Sequence, residues 1–281
     1  MAYINVGEEN SCGIDLYYED HGAGKPVVLI HGWPLSGESW EKQAPSLLAA
    51  GRRVITYDRR GFGRSSRPGG GYDYDTFALD LHTLITKLDL RDAALAGFSM
   101  GGGEVARYLG RYGEERVSAA VFISSVPPFL LKTPENPEGL DGKVFEGIKK
   151  ALSADRPAFL AEFLKDFYNF DLLGGKLVSE EVLRANWNVA AGASPAGTLA
   201  CVGAWGTDFR GDLAAITVPA LVIHGDADRI LPISATGVRT HKAIKGARLA
   251  VIPDGPHGLT WTHAEQVNRE LEQFLGQTQG R

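Results

Sequence analysis

Cysteine is nearly absent. Cys12 and Cys201 are the only two in 281 residues, far apart and outside any C-x-x-C pattern. That argues against a disulfide framework, and two isolated thiols suit a reducing compartment. Positive charge is not concentrated anywhere. The formal net charge is −5, and without a basic block the chain has no electrostatic footprint for nucleic acid. Long apolar runs are missing too: none approaches the roughly 20 residues of a membrane span. Met1 to Glu9 has neither the basic stretch nor the apolar stretch of a signal peptide. No internal repeat or low-complexity tract is found. These absences lead us to expect a soluble, cytoplasmic protein with no nucleic-acid or membrane partner.

What is present is enough apolar material for a sizeable core. Hydrophobic residues make up 44% and charged residues 22%, as in a globular chain, and the length suits an enlarged domain or a core with an insert. Short apolar runs recur at Ile14–Tyr18, Val27–Ile30, Val54–Tyr57, Ala94–Ala96, Ala119–Ile123, Ala220–Ile223 and Leu249–Ile252. Val27–Ile30 is apolar at every position, as in a strand covered on both faces, and the runs after it repeat that character. Helical patterns at Trp40–Ala50, Tyr74–Leu88, Gly101–Tyr112 and Ala264–Leu275 lie between and after them. This alternation predicts βαβ units, an α/β fold with a mostly parallel, doubly wound sheet. Residues 127–203 break the rhythm with helical patterns only, opening on Pro127-Pro128. We expect a helical cap there, inserted after the sixth core strand, with residues 1–126 and 204–281 forming the core.

Gly97-Phe98-Ser99-Met100-Gly101 fits G-x-S-x-G. In a chain with 35 glycines this pattern arises readily by chance, and a glycine-rich surface turn would show it as well. Its setting, between a strand candidate and a helix candidate, gives it mechanical meaning: the hydroxyl is lifted off a sharp turn at a helix N-terminus, which favours developing negative charge. Such a serine needs a base, and the base an orienting acid. Both follow in the order this architecture uses. Asp226 and Asp228 come just after the Ala220–Ile223 run, and His257 comes just after Leu249–Ile252, at the carboxyl edge of the sheet. We favour Asp228, with Asp226 closing its turn through its own side chain. His31 and His224 read as loop ties to backbone, and His21, His82, His241 and His263 as surface or packing residues. Backbone N–H groups of Trp33 and Met100 are the candidate oxyanion donors. Phe98, Phe129, Phe163, Phe167 and Ile230 are the candidate substrate contacts, although each aromatic could equally belong to the core of the cap.

Taken together, His31-Gly32-Trp33-Pro34, Tyr57 to Ser65, Gly97 to Gly103, His224 to Asp228 and Asp254 to Gly258 resemble the bacterial cofactor-free haloperoxidases, the non-haem chloroperoxidases within the α/β-hydrolase superfamily. These are similar to aryl esterases and perhydrolases. The likeness runs over nearly the whole chain and is weakest across the cap. It implies a Ser99–His257–Asp228 triad, an oxyanion hole from Trp33 and Met100, and a structural role for the Asp58 to Gly63 turn. It implies hydrolysis of small aryl or short-acyl esters, perhydrolysis with hydrogen peroxide and a carboxylic acid, and no metal, haem or flavin. It also implies a homo-oligomer, trimers included. Pro34 matches the haloperoxidase-like form; it fixes the local backbone and lacks an N–H. Lactonase, amidase (γ-lactamase-like) and carbon–carbon hydrolase activity use the same triad and stay open. Epoxide hydrolases and haloalkane dehalogenases need a carboxylate where Ser99 stands. A non-catalytic binding protein of this fold is disfavoured, because the three groups occur in order.

Overall fold

A computed structural model describes residues 2–277. Eight strands form one sheet: β1 Ala2–Glu9, β2 Cys12–His21, β3 Pro26–Ile30, β4 Arg53–Tyr57, β5 Ala93–Phe98, β6 Val117–Ile123, β7 Ala220–Gly225 and β8 Arg248–Ile252. Their spatial order is β1-β2-β4-β3-β5-β6-β7-β8. The first two strands run antiparallel to their neighbours, and β4 through β8 are parallel. This is the mostly parallel α/β sheet expected from the alternation of elements, in the α/β hydrolase fold that the resemblance implied. Every residue of β3, β5 and β7 is buried, as the unbroken apolar runs require when helices cover both faces. β8 departs from that reading: it lies at the sheet edge, and Val251 is exposed. β1 has no counterpart in the sequence reading. Only Ile4 of its eight residues is buried, so an edge strand with one inward side chain leaves almost no hydrophobic signal.

The helices are α1 Ala44–Ala49, α2 Tyr74–Lys87, α3 Met100–Tyr112, α4 Gly142–Phe167, α5 Phe170–Leu173, α6 Glu180–Gly192, α7 Pro195–Ala204, α8 Arg210–Ala214, α9 Gly237–Ala243, α10 Leu259–Thr262 and α11 Ala264–Gln277. The helix expected over Trp40–Ala50 is broken into a 3-10 turn, Gly37–Trp40, and α1. Pro45, without an N–H, sits in the first turn of α1 and cannot continue a helix from before it. The chain winds away from the centre through β3–α1–β4 and back through α2 to β5. Right-handed crossovers in opposite directions put α1 and α2 on opposite faces. The reversal leaves the carboxyl ends of β3 and β5 side by side, which is the crevice where ligands bind in open α/β sheets.

Between β6 and β7 the chain is helical, and α4 packs on α5, α6 and α7. Helix α4 is bent within its length. Asp155 leaves helical geometry (φ −155°, ψ 86°), Pro157 follows, and the Asp155 carboxylate accepts the Ala158 N–H at 3.0 Å as a new N-cap. Ser179 caps α6, and Ser194 caps α7 ahead of Pro195.

Candidate active site

The site is built where β5 turns into α3. Ser99 holds a left-handed φ of 54° with ψ −118°, a conformation that costs a non-glycine residue about 1–3 kcal/mol. The surroundings impose it. The Ser99 N–H donates to Ile123 O on β6 at 2.9 Å, and its carbonyl accepts from Val126 N–H at 3.2 Å. A Cβ at Gly97 would lie 2.4 Å from the Gly101 carbonyl, so the elbow closes only with glycine there. Ser99 still keeps 7% of its surface open.

His257 and Asp228 reach this serine from the ends of β8 and β7. His257 Nε2 lies 2.9 Å from Ser99 Oγ, and Nδ1 lies 2.8 Å from Asp228 Oδ2. The carboxylate requires Nδ1 to carry the proton, which leaves Nε2 free to accept from the serine hydroxyl. Asp228 Oδ1 accepts the N–H groups of Ile230 at 2.9 Å and Leu231 at 2.8 Å. Burial works to raise the Asp228 carboxyl. The attraction of His257, with hydrogen bonds from His224 and His257, outweighs it and holds the group well below the usual carboxylate range. The imidazole is fully buried, against Phe98 at 5.2 Å and Phe167 at 4.9 Å between ring centroids. The Gly258 N–H donates to Phe167 O at 2.8 Å, so the end of α4 and the histidine loop are tied together. Asp226 does not close its own turn as expected. Its Oδ1 accepts the Asp254 N–H at 2.7 Å and bridges the β7 and β8 loops.

The loop after β3 presses on the elbow, because a Cβ at Gly32 would lie 2.9 Å from Ser99 Cβ. Trp33 is buried, and its Nε1–H donates to Thr198 O on α7 at 3.1 Å. Among the described residues, the backbone N–H groups of Trp33 and Met100 donate no hydrogen bond. His31 is a loop tie: Nδ1–H donates to Gly32 O at 2.8 Å, and Nε2 accepts the Arg59 N–H at 2.9 Å. Burial, with the Arg59 charge, pushes its pKa well down. In the Asp58 turn, the Asp58 carboxylate accepts from Gly37 N–H and Arg64 N–H, both at 2.7 Å.

An apolar cavity of about 370 Å³ opens over Ser99. Trp33, Phe163 and Ile230 line it. So do Phe145, Phe159 and Trp205, which sequence reasoning had not placed at the site. Trp33 meets Phe163 and Trp205 edge to face, at 5.1 and 5.0 Å between centroids. Three candidate contacts fall elsewhere. Phe129 is outside this cavity, buried with the Arg210 guanidinium 5.1 Å over its ring. Phe98 and Phe167 pack beneath His257 and line a separate cavity of about 300 Å³. Trp205 carried no usable signal, since it follows α7 just beyond the expected cap boundary.

Residues 25–264 match the profile of the α/β hydrolase fold family, and the chain belongs to that family. Within it the resemblance is to haloperoxidase-named enzymes and esterases. A Synechocystis sp. protein provisionally named a non-heme chloroperoxidase is 63% identical over 275 residues, which is 98% of this chain and 100% of that one. The bifunctional esterase/perhydrolase DCH of Acinetobacter calcoaceticus is 38% identical, covering 98% of this chain and 99% of its own. The crystal structure of a bromoperoxidase from Bacillus anthracis superposes with a TM-score of 0.94 at 53% identity, over 98% and 99% of the two chains.

Proposed function

We propose that this enzyme is a serine esterase that forms an acyl-enzyme on Ser99, and that hydrogen peroxide can replace water in releasing the acyl group. The observation that carries this reading is the unbroken hydrogen-bonded chain Ser99–His257–Asp228, whose serine lines an apolar cavity. His257 Nε2 takes the Ser99 proton as Oγ attacks the ester carbonyl. Asp228 stabilises the imidazolium and fixes its tautomer. The Trp33 and Met100 N–H groups receive the oxyanion, a contribution of about 2.7–4 kcal/mol for each donor of this kind. The imidazolium then protonates the leaving alcohol. In the second half, His257 deprotonates water, giving the carboxylic acid, or hydrogen peroxide, giving the peracid. Similarity to an esterase/perhydrolase supports the second route. The apolar, aromatic lining favours small aryl or short acyl groups.

Hydrolysis of p-nitrophenyl esters, with and without peroxide, tests the reading. Ser99→Ala should remove both activities and labelling by a fluorophosphonate probe while leaving the fold intact. Residual turnover above roughly a thousandth of the parent rate would sink it, because only oxyanion stabilisation and binding survive loss of the nucleophile. Further parts of the reading are a cytoplasmic location and a homo-oligomer, the latter measurable by light scattering. Among the described residues no helix is long and apolar enough to cross a membrane.

A further inference from the structure

His224, at the carboxyl end of β7, was expected to tie a loop to the backbone, and its Nε2 does lie 2.9 Å from Leu231 O. The same nitrogen also lies 3.3 Å from Asp228 Oδ2. A carbonyl and a carboxylate are both acceptors, so Nε2 must carry the hydrogen and share it between them. The other ring nitrogen, Nδ1, is buried without a partner among the described residues. It faces Gly237 so closely that a Cβ there would come within 2.6 Å. A fully buried imidazole with one bare nitrogen is a poor choice for a plain loop tie.

We propose that His224 is a positioning residue for acyl transfer, holding the Oδ2 edge of Asp228 in line with His257 Nδ1. The inference rests on the reading of Ser99, His257 and Asp228 as the catalytic groups. The geometry forms a closed clamp. Leu231 donates its N–H to Asp228 Oδ1 at 2.8 Å and accepts the His224 hydrogen on its carbonyl. Ile230 N–H holds Oδ1 as well. Oδ2 is then the edge exchanged with His257, and His224 is its only other donor among the described contacts. With all four donors in place the carboxylate cannot rotate, and its ionised form is favoured. Without His224, Oδ2 is held by the imidazole alone, which must itself shift as it takes up and returns the proton.

Steady-state kinetics on p-nitrophenyl acetate tests this with two substitutions. His224→Leu removes the donor, whereas His224→Gln places an amide N–H at the same bond count from Cβ as Nε2. For the leucine variant kcat should fall on the order of tenfold to a hundredfold, the scale of a misplaced catalytic group, with KM little changed. The glutamine variant should recover most of that loss. In an Asp228→Asn background His224→Leu should cost nothing more, because its effect passes through Asp228. Parent-like kcat in His224→Leu, glutamine no better than leucine, or losses that multiply in the double variant would each overturn the proposal. If His224→Leu does not fold, His224→Asn, too short to reach Asp228, takes its place. Ser99→Ala separates the two levels. If it stays active the catalytic reading fails, and if it is dead while His224→Leu behaves as the parent, only the clamp fails.

Discussion

At the scale of single residues, the site depends on groups held where they are costly to hold. Ser99 is strained, His257 is fully buried, and Asp228 is an ionised carboxylate inside the protein. On the proposed mechanism Asp228 serves catalysis, and its depressed pKa links it to stability as well. Its pKa in the folded state lies below the ordinary 3.8. The contribution is therefore present above the unfolded value and is lost as pH falls through the folded one. Asp228→Asn should lower kcat on the order of 10⁴-fold, since an amide permits the wrong histidine tautomer. It should also be less stable than the parent in urea at pH 7, and the gap should narrow as the solution is taken below about pH 3.8. A gap that stayed constant down to pH 3 would mean that the Asp228 charge adds nothing to folding.

At the scale of elements, the two halves of the site differ in how far the sequence reveals them. Ser99, Asp228 and His257 lie one, three and five residues beyond the ends of β5, β7 and β8, and strand ends in this topology share one edge of the sheet. Local sequence therefore carries their proximity. Much of the chamber wall comes from the helical stretch between β6 and β7, where it does not. Helix α4 breaks at Asp155 and restarts on a new cap. The helical phase that places Phe145 therefore cannot be continued to Phe159 and Phe163, although all three meet at one cavity. Phe129 precedes α4 altogether and turns under Arg210. The broken helix gives a direct test. Phe163→Ala should enlarge the chamber and shift the preferred p-nitrophenyl ester to acyl chains longer by several carbons, whereas Phe129→Ala should leave the preference unchanged. Equal shifts in both would mean that the cavity over Ser99 is not the acyl site. Stability should fall by about 3–5 kcal/mol at most in either case.

At the scale of the whole molecule, one buried ion pair joins the three elements on which the site rests. Arg59 follows β4, Glu104 lies on α3, and the Arg59 guanidinium reaches the loop after β3. Its Nε donates to Glu104 Oε2 at 2.8 Å and its Nη2 to His31 O at 2.9 Å, with the pair at 1% and 0% exposure. The Tyr57 hydroxyl donates to the other Glu104 oxygen. Burial raises the Glu104 carboxyl, and the Arg59 charge opposes that. A pair this dry need not add net stability over an apolar replacement, but removing one partner strands the other charge. Glu104→Leu should therefore lose about 3–5 kcal/mol in urea unfolding. Arg59→Met with Glu104→Leu should return to within about 1–2 kcal/mol of the parent or exceed it. Activity should not return with stability. The double variant loses the Arg59 donor to His31 O, and the Gly32-Trp33 segment that packs on Ser99 loses that anchor one residue before it. A drop in kcat/KM on the order of tenfold in a fully stable double variant would assign the pair to holding the oxyanion loop. Parent-like kcat/KM would assign it to folding alone.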